Sequence, residues 1–463
     1  MSVARPGTQV TPAPGTSRAG SAADLPQDEW PSTTRAWTLV ALLVVAYALA
    51  FVDRQILTLL VEPVRRDLDI TDTQFSLLAG LAFTLFYTLM GIPFAWLADR
   101  GSRRNLIVVS VTFWSIMTAL CGLAHNFLTL FMARVGVGVG EAGLSPAAYS
   151  MIADSFPAHK RARPLGVYAA GAILGVGLAL IIGGAVVGWA NTAPPVVLPG
   201  LGELKTWQLA FLIVSVPGPL LALVLLLVRE PRRHESRASA PGVDAGSLKH
   251  FLAERGAVFT LLAFGYSLIG VAIAAYLSWT PAFLIRSHGW SIARIGAVYG
   301  SVLLVFSTAG ILVGGWLVDR LAARGARDAV LKVSIGGCAL ALPFALAAPF
   351  TPSGEIAMAT IAVMSFLFGL AQGLPPAALQ AIAPNRVRAR VIALYLLVGN
   401  IVAFTVGPTG VALISDHWLG DPARIGHAIA ILSAFVTPLG LLALLVARRR
   451  FVEIAAQEAR SSA

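Results

Sequence analysis

The sequence predicts an all-α membrane protein of twelve transmembrane helices in two six-helix bundles. Three observations carry that prediction. Of 463 residues, 57% are hydrophobic and 12% charged, against roughly 25% charged in a soluble chain. Apolar runs recur from residue 37 to residue 446, many of them at or above the roughly 20 residues that a helix needs to cross a bilayer. Short polar stretches of the first half also reappear at matching places in the second.

Taken in order, residues 1–35 are rich in Pro, Gly, Ser, Thr and Ala and read as a disordered cytoplasmic tail. A first bundle, 36–229, holds spans at Trp37–Leu60, Phe75–Leu97, Leu106–Ala124, Phe127–Ala153, Leu165–Trp189 and Trp207–Val228. A polar, basic linker follows at 230–256, whose end, from Ser247 to Arg255, has the pattern of a short amphipathic helix on the membrane surface or of a solvated linker. The second bundle, 257–448, holds Val258–Ile285, Ile295–Val318, Val330–Ala348, Ile356–Ile382, Val391–Ile414 and Ile425–Val446, and 449–463 is a cytoplasmic tail.

The net charge of +11 does not point to nucleic acid, because the basic residues gather in short connections. The tails and even-numbered connections hold 25 Lys and Arg, and the odd-numbered ones hold 6. Basic residues stay on the cytoplasmic side of a membrane, so both termini are expected in the cytoplasm, in a bacterial inner membrane. Cys121 and Cys338 each lie in an apolar run of a different half and read as buried small hydrophobes. No His/Cys cluster has metal-ligand spacing, no N-glycosylation sequence is present, and no cleavable signal peptide precedes the first span. The spans contain no nucleophile–base–orienter set, so an enzyme is not expected.

Span 4 is the expected working helix. Arg134 and Glu141, seven residues apart, fall on one helical face about 10 Å apart along the axis. Each charge within a span carries an insertion cost of roughly 2.5–3.5 kcal/mol, so each should face a partner or a watery cavity. Gly136 and Gly140 form a small-residue ridge for close helix approach. Gly138-Val139-Gly140-Glu141-Ala142-Gly143 matches a dinucleotide-binding G-x-G-x-x-G, but it sits mid-span with no preceding strand, and that reading is rejected. In span 1, Asp53 and Arg54 are the other buried charges. Counting 1.5 Å per residue places Asp53, Glu141 and Arg134 about 24, 18 and 28 Å above the inner end, in one layer. The expectation is a neutral network of Asp53 and Glu141 against Arg54 and Arg134. Arg54, the neighbour of Asp53, points about 100° away from it on a helix. With both carboxylates protonated, the arginines become free to hold an anion. Phe83, Phe86, Tyr87, Tyr276 and Trp279 are candidate cavity aromatics or ordinary packing, and Pro281 and Gly407-Pro408 candidate gate bends or plain kinks.

The halves repeat each other. Ala98-Asp99-Arg100 is echoed by Val318-Asp319-Arg320. Pro157, Arg161-Ala162-Arg163 and Tyr168 are echoed by Pro384, Arg388-Ala389-Arg390 and Tyr395. The run from Gly143 to Ala148 is similar to that from Gly373 to Ala378. Same-direction repeats imply two bundles about an axis along the membrane normal, with a site at their interface.

On these residues the chain resembles the major facilitator superfamily. The stretch Ala95 to Arg104 resembles the family's G-x-L-A-D-R-x-G-R-K loop, with Ala95 and Ser102 in place of its glycines; the second copy keeps Gly315, Leu317, Asp319 and Arg320. That resemblance implies a gate built on Asp99, Arg100, Arg103, Asp319 and Arg320. Leu130, Arg134, Gly138 and Gly140 resemble the family's span 4 motif, with Val137 for its glutamine. Gly166, Gly175, Gly183 and Gly184 partly match the antiporter motif, whose central Gly-Pro is here Ala179-Leu180. Within the superfamily the chain is most similar to bacterial spinster-like transporters, through Val52-Asp53-Arg54, Gly140-Glu141-Ala142, Ile152 to Phe156, Trp279-Thr280-Pro281, Pro384-Asn385, Arg388 and Ala412 to Asp416. The anion:cation symporters share Asp-Arg in span 1 and Gly-x-x-Glu in span 4.

The resemblance implies a monomeric secondary transporter that exports a lipid-like organic anion, of lysolipid or sphingoid type, by alternating access. It needs the lipid bilayer, the substrate and a proton gradient, and no cofactor, metal or nucleic acid. Arg134, Glu141 and Arg54 would bind substrate, and Asp53 and Glu141 would couple protons. An importer of small carboxylates and a transport-dead sensor on the same fold are the alternatives.

Overall fold

The computed structural model describes residues 30–198, 202–233, 245–384 and 387–461. Most of the expected N-terminal tail, Asn385 of the second-half motif and part of the linker lie outside the described residues. Twelve helices there are long and apolar enough to cross a membrane, and they fall six on either side of the linker. They are span 1 Thr33–Leu59, span 2 Asp72–Arg100, span 3 Arg103–Gly122, span 4 Phe127–Ala153, span 5 Ala162–Ala190 and span 6 Thr206–Leu227. The second bundle has span 7 Leu248–His288, span 8 Ile292–Ala323, span 9 Ala329–Phe350, span 10 Gly354–Ile382, span 11 Arg390–Leu419 and span 12 Pro422–Ile454. The chain is a multi-pass membrane protein.

Polar side chains set the starts of these helices. Thr71 and Gln74 cap each other reciprocally at span 2, as do Asn126 and Thr129 at span 4, satisfying amides that a helix end leaves free. Ser102, Ser291 and Ser353 cap spans 3, 8 and 10. Between spans 7 and 8 the turn runs through Gly289 at φ 65°, a left-handed conformation that favours glycine. The 5–6 connection adds a two-stranded hairpin, Val197–Leu198 against Gly202–Glu203.

Two segments differ from the sequence reading. Instead of a separate surface helix, residues from Ala245 onward form one continuous helix to His288. The last helix likewise runs from Ile425 to Ser461, so the expected tail extends span 12. Pro281 and Pro408 sit inside unbroken helices, and the Pro408 carbonyl accepts a hydrogen bond from Trp279 Nε1 at 2.9 Å.

The Gly136–Gly140 ridge packs on span 3: an added Cβ would stand 2.5 Å from Met117 and 2.8 Å from Trp114. The bundles meet along spans 5 and 8 and along spans 2 and 11. At the first seam Gly184 faces Gly296, where a Cβ would come within 2.7 Å of backbone. At the second, a Cβ on Gly80 would come within 2.5 Å of Phe404 O. Three π-helical segments mark these surfaces: Leu77–Leu81 in span 2, Leu303–Ser307 in span 8 and Ile414–Leu419 at the end of span 11.

Candidate functional site

A cavity of about 490 Å³ lies between the bundles. Its N-terminal wall carries Arg54, Arg134, Phe83, Tyr87, Tyr47 and Gln55, and its C-terminal wall Tyr266, Ser267, Gln372, Tyr395 and Asn400, with Ile269, Ile273 and Phe404 between polar groups. Thr58 and Tyr299 on the wall are buried, whereas Gln372 and Asn400 are exposed.

The helical offset between Asp53 and Arg54 decides the site. Arg54 turns to the cavity and pairs with Glu141, its Nε and Nη2 each 2.6 Å from Oε2. Its guanidinium also lies over Phe83 at 4.5 Å and Tyr87 at 4.6 Å, contacts in which the ring face attracts the cation. Asp53 instead points into the first bundle, 3% exposed, with Trp114, Glu141 and Arg134 as electrostatic neighbours. Among the described residues Glu141 Oε1 is buried without a hydrogen-bond partner, and the Trp114 indole is a hydrogen-bonding neighbour of the Asp53 carboxylate.

Arg134 departs from expectation. It does not pair with either carboxylate; Nη1 donates to the main-chain carbonyl of Asp53 at 3.1 Å and Nε to that of Leu78 at 3.5 Å. Leu78 lies in the π-helical segment of span 2, where the wider turn perturbs the usual carbonyl pairing. Arg134 therefore ties spans 1, 2 and 4 together while lying within 5.6 Å of Phe83. Gly138 allows that approach, since a Cβ there would meet Phe83 O at 2.6 Å. The expected four-charge network resolves into one ion pair, one arginine on carbonyls and one buried acid outside any salt bridge among the described residues.

The five expected gate residues lie at the face bearing the termini. Arg103 is buried, with Nε 3.0 Å from Glu230 Oε1, Nη2 2.7 Å from the Pro231 carbonyl, and an ion pair to Asp154. Burial raises the pKa of Glu230, but hydrogen bonds from Ser102 and Arg103 outweigh it and hold the carboxyl below its usual value. Arg233 donates to the carbonyls of Ala98, Asp99 and Gly101 and so caps the end of span 2. Arg100 stacks on Trp96 at 4.2 Å and Arg320 on Trp316 at 5.2 Å, an equivalent contact in each half. Asp99, Arg100, Asp319 and Arg320 are exposed.

Of the aromatic candidates, Phe83, Tyr87 and Tyr276 line the cavity. Trp279 packs on Phe75 and bonds Pro408 instead. Sequence reasoning missed the polar seam at the face opposite the termini. There Arg286 holds Asp72 and Glu62, and Asp416 accepts from Thr73. The available signal was charge placed in odd-numbered connections, where basic residues are scarce.

The family model described as Major Facilitator Superfamily matches residues 43–408. The chain is 31% identical over 432 residues to an MFS-type efflux pump of Mycolicibacterium smegmatis, covering 92% of this chain and 96% of that protein. It is 27% identical over 300 residues, 62% of each chain, to a probable L-galactonate transporter of Escherichia coli. Among solved structures it is similar to a bacterial homolog of the human lysosomal transporter spinster, inward-facing and unoccupied. That match has TM-score 0.77 and 28% identity, over 93% of this chain and 99% of that one.

Proposed function

The chain belongs to the Major Facilitator Superfamily, a family of transporters, and on that premise we propose a proton-coupled transporter of an amphipathic organic anion. It works by alternating access, with its termini in the cytoplasm of a bacterial cell and its cavity facing inward. The segregation of basic residues supports that orientation, and the likeness to an inward-facing spinster homolog supports the state. Cysteine tags in the 191–206 connection should then react with an impermeant reagent from outside, and tags at 230–245 only from inside. The reverse pattern overturns the assignment of faces.

The observation that carries the reading is the Arg54–Glu141 pair on the cavity wall. Glu141 holds Arg54 neutralised; protonation of Glu141 releases a guanidinium for an anionic head group. Asp53, one residue away and enclosed, is the second proton carrier, because a buried carboxylate outside an ion pair is costly unless neutral. A proton moving down 100 mV supplies roughly 2.3 kcal/mol, enough for a modest substrate gradient. Arg134 fixes spans 1, 2 and 4 around this pair and adds its positive field. The apolar stretches beside Phe83, Ile273 and Phe404 suit an acyl or sphingoid chain.

The test is uptake into proteoliposomes with and without an imposed pH gradient, using a lysolipid. Flux indifferent to the gradient sinks the proton coupling. The second reading, a carrier of small sugar acids, is favoured by the likeness to the L-galactonate transporter. Thermal stabilisation of the purified protein by hexonates but not lysolipids would decide for it.

A further inference from the structure

Span 1 ends at Leu59, and its last turn places two polar residues, Gln55 and Thr58, on the cavity wall. The other residues of that turn, Ile56, Leu57 and Leu59, are apolar and fully buried. Gln55 is itself 7% exposed and Thr58 6%. Among the described residues Gln55 Oε1 has no hydrogen-bond partner. An unpaired buried amide is costly, and an apolar side chain at position 55 would carry no such cost. A half-turn of the last side-chain bond exchanges the carbonyl and amino ends of the amide, and a hydroxyl answers either of them. Thr58 Oγ1 donates to the main-chain carbonyl of Gln55 at 2.7 Å, which leaves its own lone pairs able to accept from a second donor. Thr58 also shares a helical face with Arg54, four residues earlier. At 1.5 Å per residue, Gln55 and Thr58 stand about 1.5 and 6 Å beyond Arg54, toward the end of the helix away from the termini.

We propose that Gln55 and Thr58 form a hydroxyl subsite, so that the transported anion carries a hydroxyl beyond its charged group. The inference rests on the anion-transport reading above, with Arg54 as partner of the anion. On that reading the charged group stops at Arg54, an apolar part lies beside Ile273 and Phe404, and whatever extends deeper meets Gln55 and Thr58. A phosphodiester with a polyol head group has its parts in that order. So does a sugar acid, whose carboxylate ends a hydroxylated chain. A choline head group has no hydroxyl to place there, and Gln55 Oε1 would stay unpaired in the complex. A site built to hydrogen-bond a hydroxyl rejects the analogue lacking it far more steeply than an apolar pocket separates ligands by size.

The experiment measures affinity by thermal stabilisation of the purified full chain in phosphatidylcholine nanodiscs, with two matched pairs of probes. Lysophosphatidylglycerol and lysophosphatidylpropanol share the phosphodiester and the acyl chain and differ in the head-group hydroxyls. Galactonate and hexanoate share the carboxylate and the carbon count. The wild type should bind the hydroxylated member of one pair roughly tenfold more tightly than its partner. Which pair responds distinguishes a lipid head group from a free sugar acid. Gln55→Met keeps the length of the side chain and removes the amide. Its ratio should fall toward one through weaker binding of the hydroxylated member, while the Tm without ligand stays at or above the wild-type value, because an unpaired buried group is gone. Thr58→Val should lower the ratio severalfold. Should Gln55→Met fail to fold, Thr58→Val and the wild-type ratios carry the test. Equal affinity within every pair that binds, or a ratio that survives in both variants, overturns the hydroxyl subsite alone. Failure of all four probes to bind the wild type overturns the anion reading, and the subsite with it.

Discussion

Arg54 and Glu141 lie 87 residues apart in the sequence and 2.6 Å apart in the structure, where they form the ion pair on the cavity wall. Span 1 supplies the cation and span 4 the acid. Glu141 is wholly buried and Arg54 about one-fifth exposed, so the arginine is the partner a solute can reach.

Glu141→Gln removes the charge that occupies Arg54 and keeps the shape. Anion affinity should change, rising if release of Arg54 is the event that admits the head group, and the pH dependence of binding should flatten. Ligand titration between pH 5.5 and 8 checks this; an unchanged pH profile would remove Glu141 from coupling.

Asp53→Asn is a permanently neutral mimic of the enclosed acid. Gradient-driven accumulation should be lost while substrate binding persists, since Asp53 does not face the cavity. Counterflow and binding in the same proteoliposomes separate the two. Full pH-dependent accumulation by the variant would exclude Asp53 as a carrier.

Arg134→Lys keeps a charge but cannot reach the Asp53 and Leu78 carbonyls together. Transport should fall at least tenfold at normal expression. Because a buried carbonyl loses its donor, at a cost of about 1–3 kcal/mol, a lowered Tm should accompany the loss. Equal transport at unchanged Tm would make Arg134 a generic positive charge.

Glu230→Gln tests the tie between the linker and the first bundle. Glu230 has its folded pKa depressed by Ser102 and Arg103. Its contribution to stability is therefore full above the ordinary value of 4.5 and lost as pH falls through the lower folded one. The wild type should exceed Glu230→Gln in thermal stability at pH 7, and the two should converge as pH falls below 4.5. A difference that stays constant over that range would refute an ionic tie.

The spans and the twelve-helix fold were legible in the sequence, because each depends on local composition and periodicity. Runs of about twenty apolar residues impose helices whatever their neighbours, and the glycine ridge of span 4 could be read from spacing alone. So could the candidacy of Asp53, Arg54, Arg134 and Glu141, since charge inside an apolar run is rare. Which acid meets which arginine was not legible. Adjacent positions on a helix diverge by about 100°, so Asp53 and Arg54, equal as letters, enter different environments. Only the packing of spans 1, 2, 3 and 4 sent Arg54 to Glu141, enclosed Asp53 beside Trp114, and gave Arg134 two carbonyls in place of an acid. The polar seam at the face opposite the termini was hidden for the same reason. Arg286 reads as one more charge in a connection, and it meets Asp72, 214 residues earlier, only once the two bundles are docked.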